Sequence, residues 1–191
     1  MASDTTELLG WYQGALSEVL PELDQPALHE ALKVLSAAHD QGTRVWVMGN
    51  GGSALAAQHC ETDWSKSVWE ATGKALHVRA LVNNIGNVTA YGNDLGYDDV
   101  FANQLEALGA AGEIALLISG SGNSPNILRA AEKARALGMK TISMSGFGGG
   151  TIAALVETPI VISVQDMQVI EDLHVVFCHL VMKHLMSKGR Q

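Results

Sequence analysis

The sequence predicts an α/β domain built on an open, mostly parallel sheet. From residue 44 onward, short apolar runs alternate with stretches of helical spacing, the order of strand–helix–strand units. Runs such as IALLIS (114–119) and PIVISV (159–164) are apolar on both faces, as strands covered on both sides must be. Of the 191 residues, 47% are hydrophobic and 17% charged, which supplies one sizeable core and excludes wholesale disorder.

Residues 5–20 place Leu8, Leu9, Trp11, Tyr12, Leu16 and Leu20 near helical spacing, and Pro21 closes the segment. A second helix, 26–40, carries Leu28, Leu32, Val34, Leu35 and Ala38, and Gly42 stands where a C-cap glycine belongs. This pair reads as an N-terminal helical extension, about 5–41, of a single domain spanning 1–191. Strands are expected at 44–48, 76–81, 113–118, 140–144 and 159–164. Helices are expected at 53–65, 85–91, 98–108, 125–137 and 166–186. No internal repeat, low-complexity tract or linker interrupts them.

Twelve Lys and Arg against 20 Asp and Glu give a net charge of −8. That argues against a nucleic-acid or anionic-membrane partner, which needs a basic patch, but allows one small anion held by local dipoles. Cys60 and Cys178 are too few for a disulfide framework. With seven Met and no signal-like start, the chain reads as cytoplasmic. No apolar run approaches the roughly 20 residues of a membrane span.

Ligands in such sheets sit beyond the C-terminal strand ends, and two polar loops fall there. Gly49-Asn50-Gly51-Gly52-Ser53 follows the first strand and opens a helix, whose unpaired N–H groups attract anions. Ser119-Gly120-Ser121-Gly122-Asn123-Ser124 follows the third, with Ser124 at an N-cap position and Pro125 at the first helical one. Either loop alone reads equally well as a turn; together they point to phosphate. A third loop, Ser145–Gly150 in the sequence, lacks the hydroxyl cluster and reads as a turn. The first loop satisfies G-x-G-x-x-A, yet Asn83 and Asn84 stand where a dinucleotide site needs an acid, and no P-loop is present.

His59 and Asp63 lie four apart on one helix, hence on one face. The last helix sets Glu171, Asp172, His174 and His179 in an apolar segment, where titratable groups are costly unless paired or metal-bound. Spacing alone favours a structural role over a metal or catalytic one for His59, Asp63 and His179. His174 reads as a core histidine, His184 as a solvated helix end, and His29, His39 and His77 as surface. Cys60 and Cys178 read as packed hydrophobes.

GNGGS, His59 with an acid four residues on, YGNDLGYDDVF, ISGSGNS and IEDLHVVFCH together resemble the phosphoheptose isomerases of the sugar isomerase (SIS) domain superfamily, over about 5–187. The resemblance implies a three-layer α/β/α sandwich with a five-stranded parallel sheet, assembled as a homotetramer with active sites between subunits. It implies an intramolecular oxidoreductase converting sedoheptulose 7-phosphate to D-glycero-D-manno-heptose 7-phosphate, within heptose biosynthesis. It carries phosphate binding onto Ser53, Ser119, Ser121 and Ser124. Asn50, Asp94 and Glu171, with Gly51 and Gly52, fall at substrate positions. It implies zinc on His59, Asp63, Glu171 and His179, with Asp63 as base and His179 as acid. A base moves a proton between adjacent carbons, an acid serves the oxygens, and zinc polarises the carbonyl.

Three positions depart from the family pattern. Asp63 replaces the usual Glu and is one methylene shorter; Glu171 replaces the usual Gln; Ser67, next to Lys66, takes a basic position. These departures admit another ketose phosphate as substrate. The resemblance also admits a non-catalytic SIS adaptor binding a replication-initiator-type protein.

Overall fold

The computed structural model describes residues 4–23 and 25–190; residues 1–3, 24 and 191 of the expected span lie outside the described residues. Helix α1 (Thr5–Val19) starts where the Asp4 carboxylate accepts from the Thr6 N–H at 3.1 Å. A 3-10 turn, Leu20–Leu23, leads to α2 (Pro26–Gln41), which ends at Gly42 with φ 72°. The alternation follows as β1 (Val45–Met48), α3 (Gly52–Thr62), α4 (Val68–Thr72), β2 (Val78–Ala80), α5 (Ile85–Asp94), α6 (Val100–Leu108), β3 (Ile114–Ser119), α7 (Pro125–Ala136), β4 (Lys140–Ser145), β5 (Thr158–Val161) and α8 (Met167–Ser187).

All five strands are parallel, in the order β2-β1-β3-β4-β5. The chain begins mid-sheet, goes one way to β2, then returns past β1 to build the other half. The loops leaving β1 and β3 therefore part in opposite directions, and a crevice opens between them. Strands β1 and β3 are buried along their whole length. Alternate residues feed two cores. Val45, Val47, Leu116 and Ile118 meet α2, α3 and α8; Trp46, Met48, Ala115 and Leu117 meet α6 and α7. This is the expected three-layer sandwich. Each fully buried Leu, Ile or Val is worth roughly 1.5–3 kcal/mol, so a one-residue slip that exchanged the two faces is strongly disfavoured.

The outer strands are shorter than expected, with β2 at Val78–Ala80 rather than 76–81 and β5 at Thr158–Val161 rather than 159–164. Each has one neighbour, and side chains cover its free edge. The Gln25 amide donates to the Val161 carbonyl at 3.1 Å and accepts from the Val161 N–H at 3.4 Å. On the other edge Glu61 accepts from the Ala80 N–H at 2.5 Å. The expected helix 53–65 is also interrupted: α3 stops at Thr62, and a π-helical turn, Asp63–Ser67, joins it to α4. His39, expected at the surface, is buried at the end of α2, where Nε2 meets the Lys74 carbonyl at 2.9 Å.

Helix α1 docks on α8 through the Tyr12 hydroxyl, which donates to the Asp172 carboxylate. That bond, aided by burial, pushes the phenol from 10.0 up to about 12. Around it Leu8, Leu9 and Trp11 stay exposed. A raised phenol stabilises the folded form fully below its unfolded pKa, and the contribution disappears as pH rises through the folded one. Docking of α1 is therefore expected to hold to about pH 10 and to weaken toward pH 12. Emission from the adjoining Trp11 reads this transition, and Tyr12→Phe is expected to abolish it.

Candidate active site

The loop leaving β1 reaches α3 through Gly51, and the loop leaving β3 reaches α7 through Ser124. The two are tied across the crevice. Asn50 Nδ2 donates to Asn126 Oδ1 at 2.8 Å, and Asn126 Nδ2 returns a bond to Asn50 Oδ1 at 2.9 Å. Tyr97, from the segment after α5, donates its hydroxyl to the same Asn50 oxygen at 2.9 Å. Between the loops lies a pocket of about 210 Å³ lined by Asn50, Ser53, Ser119, Ser121, Ser124 and Glu171.

Ser124 occupies the N-cap position of α7, yet its side chain makes no capping bond; its Oγ lies 3.4 Å from Ser119 Oγ instead. Those hydroxyls, and the unpaired N–H groups at two helix starts, converge as an anion needs. The third loop, expected to be only a turn, braces the second. Gly146 N–H donates to the Gly120 carbonyl at 2.9 Å, Ile152 N–H to the Gly122 carbonyl at 3.0 Å, and Thr151 to Asn123 through N–H and hydroxyl at 2.9 and 2.8 Å.

The first turn of α8 closes the crevice. Its Ile170 and Glu171 lie over Gly146 and Gly52 so closely that added Cβ atoms would stand 2.0 Å and 2.3 Å from them. Glu171 thus joins the serine pocket. Asp94 does not: it ends α5 in an exposed position, bonded to Asn93 at 2.7 Å.

A second group forms where α3 passes into the π-helical turn. His59 Nε2 lies 2.9 Å from His179 Nε2 and 3.3 Å from Asp63 Oδ2, and His179 Nε2 lies 3.7 Å from the same oxygen. Asp63 is 17% exposed, against 40% for His59 and 47% for His179. Trp64 anchors the turn, buried against Phe177 and donating Nε1–H to the Cys178 carbonyl at 2.9 Å. The turn frees the Trp64 carbonyl, which takes the Leu76 N–H at 3.1 Å. Ligand atoms about 2.0 Å from a tetrahedral zinc stand roughly 3.3 Å apart, close to the three observed separations. The donor set therefore fits zinc.

Cys178, buried on α8, brings its sulfur within 4.8 Å of the His59 and Asp63 ligand atoms. Among the described residues, Glu171 is not part of that group. Lys66, next to Ser67, pairs with Glu70 at 2.7 Å on the surface. Cys60 and Cys178 are free thiols, and burial together with Cys178 pushes the Cys60 thiol well above its usual range. His174 is a core histidine, as expected, but among the described residues only one of its nitrogens has a partner.

Asn126 and Tyr97 were not among the expected site residues, and Cys178 and the third loop, read as a packed hydrophobe and a turn, also stand beside the site. Tyr97 sits inside YGNDLGYDDVF, and Asn126 follows the helix-starting Pro125, so both lay beside signals already noted. A larger cleft of about 700 Å³, lined by Arg44, Arg79, Asn83 and Asn84 among others, opens at the β2 edge and contains none of the expected residues. Convergent hydroxyls, rather than volume, single out the serine pocket as the candidate site.

A SIS domain family model matches residues 12–146. The chain is 37% identical over 188 residues to the phosphoheptose isomerase of Citrifermentans bemidjiense, covering 96% of this chain and 93% of that one. Its fold superposes on the phosphoheptose isomerase of Neisseria gonorrhoeae with a TM-score of 0.87 at 27% identity, covering 96% of this chain and 100% of the other. On that of Francisella tularensis it superposes with a TM-score of 0.84 at 28% identity, covering 97% and 98%. The chain belongs to the SIS domain family and, within it, to the phosphoheptose isomerases.

The Glu171 carboxylate stands beside the pocket that would take the phosphate, and like charges repel there. Glu171→Gln is expected to tighten binding of inorganic phosphate several-fold, read by calorimetric titration at constant pH and salt.

Proposed function

We propose that the protein is an aldose–ketose isomerase that converts sedoheptulose 7-phosphate to D-glycero-D-manno-heptose 7-phosphate. One arrangement carries this reading: α3 begins among the phosphate-type serines and ends at a carboxylate beside two imidazoles. Ser53 and Asp63 are ten residues apart, about 15 Å along a helix. Gripping phosphate at one end and moving a proton at the other calls for an elongated sugar phosphate, its carbonyl far from its phosphorylated carbon. The phosphoheptose isomerase relatives fit the same requirement.

Asp63 takes a proton from C1 of the ketose and returns it to C2. His179 exchanges the matching proton between the C2 and C1 oxygens. Ser53, Ser119, Ser121 and Ser124 hold the phosphate, so that binding energy remote from the reacting carbons orients them. Asn50, fixed by Asn126 and Tyr97, faces the sugar from the crevice wall, and Glu171 accepts from its hydroxyls, while the exposed Asp94, outside this pocket, would do so only at a site shared between subunits. His59, Asp63 and His179 would hold zinc, which supplies polarisation of the carbonyl oxygen when bound. Either Glu171 or Cys178 completes that set.

The apolar surface of α1 and the exposed Leu55, Trp69 and Leu180 support a homotetramer with active sites at its subunit contacts. Buried free thiols and the absence, among the described residues, of any helix long and apolar enough to cross a membrane are consistent with a cytoplasmic enzyme. Light scattering behind size exclusion is expected to give four times the chain mass; a monomer mass counts against shared sites.

The deciding experiment is a coupled turnover assay with sedoheptulose 7-phosphate, run as purified, after chelation and after zinc is restored. Turnover lost on chelation and recovered with zinc is the expected outcome. Turnover indifferent to chelation removes the metal and keeps the isomerase, and no turnover in any state rejects this substrate. Asp63→Asn and His179→Asn are each expected to lower kcat by about 10²–10⁴-fold.

A further inference from the structure

We propose that His174 is a positioning residue: it donates a hydrogen bond to Ser53 and thereby commits the Ser53 hydroxyl proton to the substrate phosphate. The proposal rests on the phosphate role of the serine pocket. His174 lies on α8, fully buried directly beneath that pocket. Its Nδ1 is 3.4 Å from Ser53 Oγ, while Nε2 is buried with no hydrogen-bond partner among the described residues. Ser53 itself lines the pocket at the start of α3.

Burial lowers the imidazole pKa to about 4, so near neutral pH the ring carries a single N–H proton. Two placements of that proton are available, with opposite consequences. On Nε2 it leaves a buried N–H without an acceptor, the rarer and costlier kind of orphan, and Ser53 must spend its only hydroxyl proton on Nδ1. On Nδ1 it leaves only a bare lone pair at Nε2. The Nδ1–H then points at Ser53 Oγ, and the hydroxyl proton is free to turn toward the pocket. The second placement is the cheaper one, and it makes Ser53 a dedicated donor to an anion. The 3.4 Å separation exceeds the usual value of about 2.9 Å, which leaves room for the contact to tighten when an anion draws the Ser53 proton outward.

Nitrogen-15 spectra of histidine-labelled protein at neutral pH test the tautomer, with His174→Asn identifying the resonance. A protonated Nδ1 and bare Nε2 are expected; a protonated Nε2 overturns the proposal and leaves the isomerase reading standing. Calorimetric titration with inorganic phosphate tests the consequence. His174→Leu is expected to weaken phosphate binding about tenfold, the scale of one hydrogen bond to a charged group. His174→Asn places an amide N–H near the Nδ1 position and is expected to recover most of that loss. In a Ser53→Ala background, His174→Leu is expected to add nothing further. Full additivity with Ser53→Ala, or wild-type affinity in the Leu variant, overturns the proposal.

If the Leu variant does not fold, the tautomer and the Asn variant decide: a protonated Nδ1 with near-wild-type affinity in the Asn variant supports the proposal, and any other pair of results overturns it. With sedoheptulose 7-phosphate, the rise is expected in KM with kcat nearly unchanged, because the phosphate lies away from the reacting carbons. Wild-type protein that binds no phosphate overturns the pocket reading, and this proposal with it. Phosphate binding without turnover overturns only the assigned reaction.

Discussion

The site depends on how closely the first turn of α8 approaches the strand-end loops. Ile170 and Glu171 occupy the space where side chains on Gly146 and Gly52 would stand. This contact fixes three separately encoded segments against one another: the loop after β1, the loop after β3 through its brace, and the helix that carries His174 and His179. Interiors packed at crystal-like density resist an added methyl group, so Gly146 is a requirement of fit against the fully buried Ile170 and the Gly120 carbonyl, whereas at Gly52 the carboxylate end of Glu171 can swing aside. The crevice itself is older in the logic of the fold, since it follows from the reversal of strand order between β1 and β3.

The chemistry divides between the two ends of α3. At its start, hydroxyls and helix N–H groups collect around a pocket that also receives a carboxylate, Glu171. At its end, a carboxylate and two imidazoles lie within 3.7 Å of one another. The π-helical turn separates this second group from an ordinary helix end. Its anchors, Trp64 and Phe177, are buried, while His59 and His179 remain half open to solvent. A rigid base under an accessible tip suits groups that must both hold a geometry and meet a substrate.

Much of this was legible in the sequence because punctuation residues are local signals. Gly42, Pro125, the glycines after β1 and the serines after β3 each mark a backbone event within a few residues, and the three layers follow from the two-faced apolar strands. What was illegible depends on contacts between distant segments. The periodicity of 53–65 reads as one helix because a local switch to i,i+5 bonding leaves no trace in an apolar pattern. The resemblance sets Glu171 beside zinc, but no pattern in the sequence shows that its carboxylate packs on Gly52 or that the Cys178 sulfur comes within 4.8 Å of the His59 and Asp63 ligand atoms. His39 looked like a surface residue, and only the return of the chain at Lys74 buries it. The outer strands were overestimated for the same reason: an apolar run says nothing of how many neighbours it will pair with.

The Gln25 amide forms both a donor and an acceptor bond with Val161, much as another peptide group would on the open side of β5. Glu61 occupies the open side of β2 in a different way, with an acceptor alone. A parallel sheet of five strands invites a sixth from any passing chain, and misfolded or crowded copies would supply one. An incoming strand would first have to displace these two polar side chains before it could pair at Val161 or Ala80, which disfavours growth of the sheet from either edge.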